Sequence, residues 1–233
     1  MTSVLIIDDD PSLTKALRIG LQARGYLLHT APNGATGLQS AATEAPDLVV
    51  LDLGLPDMDG IEVCRRIREW STVPIIVLSA AGDERRKVMA LDQGADDYVT
   101  KPFSMAELEA RLRVALRHRA SAEQGNQEPV IEVGGILADV AARQVSVDGE
   151  VVQLTAREFE LLVFLARNAD KICTHQVILR EVWGLGYGSE TNYLRVYINR
   201  LRRKLGAEEW RLRTNPGVGY QLSSAERPEG TQE

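Results

Sequence analysis

Hydrophobic positions along this chain follow two different periods, one in each half. In the first half, short continuous apolar runs recur about every twenty residues, at 4–7, 26–30, 48–51, 74–78 and 97–100. Runs without alternation predict strands buried on both faces, as in a parallel sheet. Between them, helical periodicity predicts helices over 11–24, 34–44, 60–70, 84–93 and 105–119. Pro11 suits a first helical turn, Gly25 and Gly94 suit helix stops, and Ser104 with Glu107 forms a capping-box pattern. Five βα units in succession predict an α/β doubly wound (βα)5 parallel-sheet domain over 1–119.

The segment 120–129, ASAEQGNQEP, has no large apolar residue and reads as a flexible linker. Past it the period shortens. Residues 130–155 alternate in short pieces, and the Asp148-Gly149 turn dipeptide predicts a hairpin in a small antiparallel sheet. Thr155 and Glu158 then open a helix whose apolar residues Phe159, Leu162, Val163 and Ala166 recur at helical spacing. A second helix follows Thr174 and runs to Trp183, a Gly-rich loop spans 184–189, and a third helix covers about 190–205. A hairpin over 211–222 turns at Pro216, Gly217 and Gly219, giving a second, α+β domain over 130–223. The polar tail 224–233 reads as disordered.

At 233 residues and 44% hydrophobic content, the chain can bury two small cores. No apolar stretch approaches a membrane span, which predicts a soluble cytoplasmic protein without membrane partners. Cys64 and Cys173 stand far apart without metal-ligand spacing and read as free thiols; His29, His118 and His175 form no motif. The net charge is −6, and residues 1–119 and 120–233 each come to −3. That balance disguises a local excess, because 195–204, RVYINRLRRK, holds five cationic residues and no acid. Such a stripe can meet phosphates on an otherwise acidic protein.

The candidate chemistry of the first domain lies at the ends of its strands. The run 48–51 delivers Asp52, 4–7 leads into Asp8, Asp9 and Asp10, 74–78 into Ser79, and 97–100 into Lys101. Parallel strands bring such ends to one crevice. Carboxylates packed together need a cation, and hard oxygen ligands with open positions suit Mg²⁺. Asp52 is then a nucleophile able to form an acyl phosphate, with Lys101 pairing a phosphoryl oxygen.

In the third helix of the second domain, Leu194, Ile198, Leu201 and Leu205 share one apolar side. Asn192, Arg195, Val196, Asn199, Arg200 and Arg203 fall on the other, which predicts an exposed face suited to phosphates and base edges. Arg202 in the same basic run, with Arg213 and Thr214 on the hairpin, completes the DNA-binding candidates. Helix, loop, helix and a following wing point to double-stranded DNA.

Together these residues resemble the response regulators of two-component signalling. Asp8-Asp9, LDLGLPDMDG around Asp52, Ser79 and the Lys101-Pro102 of GADDYVTKPF resemble a receiver domain. LTAREFELLVFLARN, the EVWG segment, RVYINRLRRKL and GVGY resemble the OmpR/PhoB winged-helix effector. YLRVY near the third helix is similar to the branch that controls potassium-transport genes. The resemblance implies phosphorylation of Asp52 by a sensor histidine kinase. It implies Mg²⁺ held by Asp9 and Asp52, by Asp8 through water and by the Gly54 carbonyl, and a cis Lys101-Pro102 bond. Ser79 would bind a phosphoryl oxygen and let Tyr98 rotate inward. A phosphorylation-driven homodimer would form through Lys87, Asp96, Asp97, Glu107, Arg111 and Arg113, presenting two winged helices to tandem half-sites, with RNA polymerase as a further partner. Members commonly carry Arg two residues after the wing Thr; here Asn215 and Pro216 follow Thr214, leaving Arg213 as the substitute. Gly54 offers no side chain to position an attacking water, which predicts slow self-dephosphorylation.

Two rivals belong to other classes. A dehalogenase-type phosphatase would place a general acid two residues beyond its nucleophile, where this chain has Gly54. The alternative for the second half is a winged helix that binds protein and never touches DNA.

Overall fold

The computed structural model describes residues 1–120, 130–184 and 191–226, and the side chains of 117–120 are not described. Most of the expected linker, the Gly-rich loop from 185, the start of the third helix at Glu190 and the tail from 227 lie outside the described residues. The chain divides into two compact units, 1–121 and 122–233.

In the first unit, β1 (Ser3–Ile7), β2 (Leu27–Ala31), β3 (Leu48–Asp52), β4 (Ile75–Ala80) and β5 (Asp97–Lys101) alternate with five helices. These are α1 (Pro11–Gln22), α2 (Gly34–Glu44), α3 (Gly60–Arg68), α4 (Glu84–Asp92) and α5 (Met105–Ala120). All strand pairings are parallel, in the order β2-β1-β3-β4-β5. One face of the sheet buries Val4, Ile6, Leu48, Val50, Ile76, Leu78 and Val99 against Leu17, Leu21, Leu108 and Leu112. Residues of the opposite parity, Leu5, Ile7, Val49 and Leu51, are equally buried, so the continuous apolar runs reflect a sheet covered on both sides. Helix ends fall within a few residues of the sequence reading. Gly25 and Gly94 have φ of 87° and 115°, the left-handed conformation that suits a helix stop.

The second unit opens with an antiparallel sheet of β6 (Val130–Val133), β7 (Ile136–Asp139), β8 (Gln144–Val147) and β9 (Glu150–Val152). The Asp148-Gly149 turn joins the last two, both residues having positive φ as a tight hairpin requires. Three helices follow, α6 (Ala156–Arg167), α7 (His175–Trp183) and α8 (Thr191–Leu205), then a 3-10 turn (Gly206–Arg211) and the hairpin of β11 (Leu212–Asn215) and β12 (Gly219–Leu222). The sequence reading did not foresee β10 (Cys173–Thr174), a two-residue strand that pairs with β12 and makes a three-stranded sheet. Any Cβ at Gly219 would collide with the Cys173 carbonyl oxygen, so this close approach requires glycine there. α6 carries the expected capping box, with Thr155 and Glu158 bonded reciprocally.

Candidate functional site

At the carboxyl edge of the parallel sheet, Asp8, Asp9 and Asp52 each offer one carboxylate oxygen, and these atoms lie within 4.8 Å of one another. Lys101 Nζ stands 2.9 Å from Asp8 Oδ2 and 2.9 Å from Asp52 Oδ1, bridging the two strands that carry them. Burial pushes the Asp8 carboxyl upward, an effect that hydrogen bonds from Lys101 and the Asp10 backbone N–H only partly offset. Burial also disfavours the charge on Lys101, but its two carboxylate partners hold its pKa above the ordinary value. Gly54 N–H donates to Asp52 Oδ2 at 3.2 Å, keeping the loop after β3 folded over the acceptor. The Lys101-Pro102 peptide is cis. A cavity of about 310 Å³ borders Asp8 and Asp9 on the side of α1 and β2, where Thr14, Lys15 and Arg18 line it.

Ser79 sits one residue beyond Leu78, the partner of Asp52 in the β3–β4 register. Its hydroxyl is buried without a hydrogen-bond partner among the described residues, a costly arrangement that an incoming acceptor oxygen would relieve. Tyr98 is half-buried, with Lys87 Nζ 4.9 Å and the Arg111 guanidinium 5.6 Å from its ring centre.

The residues assigned to a dimer face fare unevenly. Asp96 is 1% exposed and accepts from Arg68 Nη2 at 2.7 Å and Ile75 N at 2.9 Å, so it fastens α3 to β4 inside the unit. Lys87 is also buried, pairing with Glu84 at 2.8 Å. Asp97 is buried and pairs with Arg111 at 3.3 Å, and Arg111 reaches Glu107 at 3.2 Å. Arg113 is exposed and pairs with Glu109 at 2.8 Å. Ser104 receives the Glu107 N–H as expected of its cap, but the Glu107 carboxylate turns to Arg111.

The helical wheel of α8 also needs correction. Asn192, Arg195, Asn199 and Arg203 are exposed, whereas Val196 and Arg200 are buried. Arg200 Nη2 lies 2.7 Å from Glu158 Oε1, and Lys204 Nζ lies 2.6 Å from Glu158 Oε2. A wheel assumes one buried side, but α8 is packed by α6 and α7 and buries a wider arc. Arg202 is half-buried and turns to the hairpin, its guanidinium donating to the Leu212 carbonyl and the Thr214 hydroxyl. Arg213 and Thr214 are exposed on β11, Arg213 with its guanidinium 5.9 Å from the Trp210 ring centre.

Sequence reasoning missed several ties. Arg86 of α4 donates to the Leu53 carbonyl at 3.0 Å and to Asp59 at 2.8 Å, joining that helix to the loop after Asp52. The Arg68–Asp96 pair and the partners of Glu158 also carried no local signal, since each joins residues far apart in sequence.

Comparison with known proteins settles the family. Residues 4–113 match the response regulator receiver domain, and 149–222 match the C-terminal domain of transcriptional regulatory proteins. The chain is 50% identical to the transcriptional regulatory protein KdpE of Mycobacterium tuberculosis over 227 residues, 96% of this chain and 100% of that one. It belongs to the OmpR/PhoB family of response regulators. The regulator is also 45% identical to the KDP operon transcriptional regulatory protein KdpE of Escherichia coli over 225 residues, 95% of this chain and 99% of that one. The expected likeness to one branch of the family therefore holds over nearly the whole chain. Among solved structures, a RitR mutant aligns with a TM-score of 0.75 at 26% identity, covering 95% and 99% of the two chains. DrrB, an OmpR/PhoB homologue of Thermotoga maritima, aligns with a TM-score of 0.51 at 31% identity over 96% and 99%. Members of this family regulate transcription by binding DNA, so the regulator is no conventional enzyme. No helix among the described residues is long and apolar enough to cross a membrane.

Proposed function

We propose that the receiver over 1–119 takes a phosphoryl group from the phosphohistidine of a sensor histidine kinase onto Asp52, and that this controls DNA binding by 130–223. One observation carries the reading: Asp52 shares a pocket with two further carboxylates and with an ammonium 2.9 Å from its own oxygen. An Asp52 oxygen attacks phosphorus, the P–N bond breaks, and the imidazole leaves with its electron pair and takes up a proton. Lys101, released from Asp52 as that carboxylate becomes an acyl phosphate, turns to a phosphoryl oxygen, and the Ser79 hydroxyl donates to another. Three oxygens on Asp8, Asp9 and Asp52, with the Gly54 carbonyl nearby in sequence, fit the donor set of Mg²⁺. Bound there, Mg²⁺ supplies neutralisation for the charge gathering between acceptor and phosphoryl oxygens.

Loss of the free Ser79 hydroxyl as a buried orphan draws the loop after β4 toward the acceptor and frees space for Tyr98 to turn inward. Lys87 and Arg111 both contact that ring, so its rotation changes the charges shown by α4 and α5, where a second copy docks. A dimer offers two α8 strips, Asn192, Arg195, Asn199 and Arg203, to tandem half-sites of double-stranded DNA in the cytoplasm. With KdpE regulators as relatives, the genes controlled are those of potassium transport, in concert with RNA polymerase. The test is incubation with a small phosphodonor and Mg²⁺, followed by intact-mass analysis. A gain of one phosphoryl group that Asp52→Asn prevents is expected; equal labelling of that variant would end the proposal.

A further inference from the structure

Arg202 belongs to the basic run of α8, yet its guanidinium is committed within the domain. Nε and Nη2 donate to the Leu212 carbonyl at 3.0 and 2.6 Å, and Nη2 also reaches Thr214 Oγ1 at 2.8 Å. Leu212 and Thr214 lie on β11, the edge strand of the three-stranded sheet, so these bonds fall where the ladder supplies only one neighbour. Thr214 pairs across the ladder with Tyr220, a buried ring whose phenol is influenced by both Arg202 and Arg195. The clamp therefore joins the C-terminal turn of α8 to the hairpin.

We propose that Arg202 is a positioning residue for DNA recognition, a clamp that fixes the wing against α8, and that it does not itself neutralise a phosphate. The proposal rests on the reading of 130–223 as a DNA-binding domain. Both acceptors are neutral oxygens, and the flat, forked donor set of Arg meets them from one group. A Lys ammonium keeps the charge but loses that fork, so it restores a phosphate contact better than it restores this clamp. Thr214 acts in the same unit: its hydroxyl accepts one of the three bonds from Arg202, so removing it weakens the clamp while the two bonds to the Leu212 carbonyl remain.

The experiment uses the full-length protein activated with beryllofluoride and Mg²⁺, and a duplex selected from a randomised pool by the wild type. Arg202→Lys, Arg202→Ala, Thr214→Val and the Arg202→Ala/Thr214→Val pair are compared by salt-titrated binding, by hydroxyl-radical footprinting of the backbone and by methylation protection of guanine N7 in the major groove. We expect about a tenfold loss of affinity for both Arg202 variants and loss of protection where the wing lies, with major-groove protection by α8 retained. The double variant should be little weaker than Arg202→Ala alone. Restoration by Lys, together with a salt slope reduced by about 0.9 in Arg202→Ala, would make Arg202 a phosphate ligand and overturn the proposal. If the wild type selects no duplex, the DNA-binding reading itself fails and takes the clamp's role with it.

Discussion

The acceptor pocket and the α8 face were both read from polar residues placed beside apolar ones, and the structure treats them differently. At the pocket, Asp8, Asp9, Asp52 and Lys101 meet as their strand-end positions require. On α8, four of the six residues assigned to the exposed side are exposed, while Val196 and Arg200 are inside. Strand ends in a parallel sheet are brought together by the backbone ladder, whatever the side chains do. A helix face depends on how many neighbours pack around it, and that is decided by tertiary structure. The charge of a residue therefore says less about its exposure on α8 than its register does at the sheet edge.

The sharpest way to strengthen or break this contrast is at the pocket. Lys101→Ala should slow phosphorylation by a small phosphodonor about a hundredfold or more, because it removes an ammonium 2.9 Å from the acceptor oxygen. An unchanged rate would mean that the convergence has no chemical consequence. On α8, Glu158→Ala should destabilise the second unit by about 3–5 kcal/mol, since it strands Arg200 inside without its counter-charge. Thermal unfolding reads this directly, and an unshifted transition would put Arg200 back among surface residues. Arg195→Ala, by contrast, should leave the melting temperature alone and weaken DNA binding by about 1–3 kcal/mol.

Acid offers a further test of the same buried group. Burial raises the Glu158 carboxyl, but Arg200, Lys204 and the Thr155 N–H more than offset it, so its pKa in the fold lies below the ordinary 4.5. A depressed carboxylate contributes stability that is present above its unfolded value and is lost as pH falls through the folded one. The second unit should therefore lose stability on acidification below about pH 4.5, and Glu158→Gln should show less of this pH dependence. The smallest effect concerns Gly54. A Cβ there would lie 3.4 Å from Asp52 Oδ2, close enough for a polar side chain to hold a water near the phosphoryl group. Gly54→Asn should shorten the phosphoryl half-life by a few-fold, about 1 kcal/mol of barrier, measured by loss of label after donor removal.

Most of the fold could be read in advance because its signals are local. The five apolar runs, the Asp148-Gly149 turn and the Thr155–Glu158 cap each declare themselves within a few residues. β10 did not, since two residues carry no period and Cys173 and Thr174 are extended only because β12 passes beside them. Within the site, the acids and Lys101 were legible, and the role of Asp96 was not. Its Arg68 partner lies 28 positions away, and nothing near Asp96 marks it as internal. Glu158 shows both situations in one side chain: its cap to Thr155 is a sequence signature, while its contacts with Arg200 and Lys204 exist only once α8 has docked.

Whether the pocket governs the helix is tested most directly by titrating the selected duplex with the full-length regulator, before and after treatment with phosphodonor and Mg²⁺, in wild type and Asp52→Asn. The affinity of the wild type should rise at least tenfold, about 1.4 kcal/mol, and that of the variant should stay at its starting value. Equal affinities before and after treatment, or the same rise in Asp52→Asn, would contradict the account.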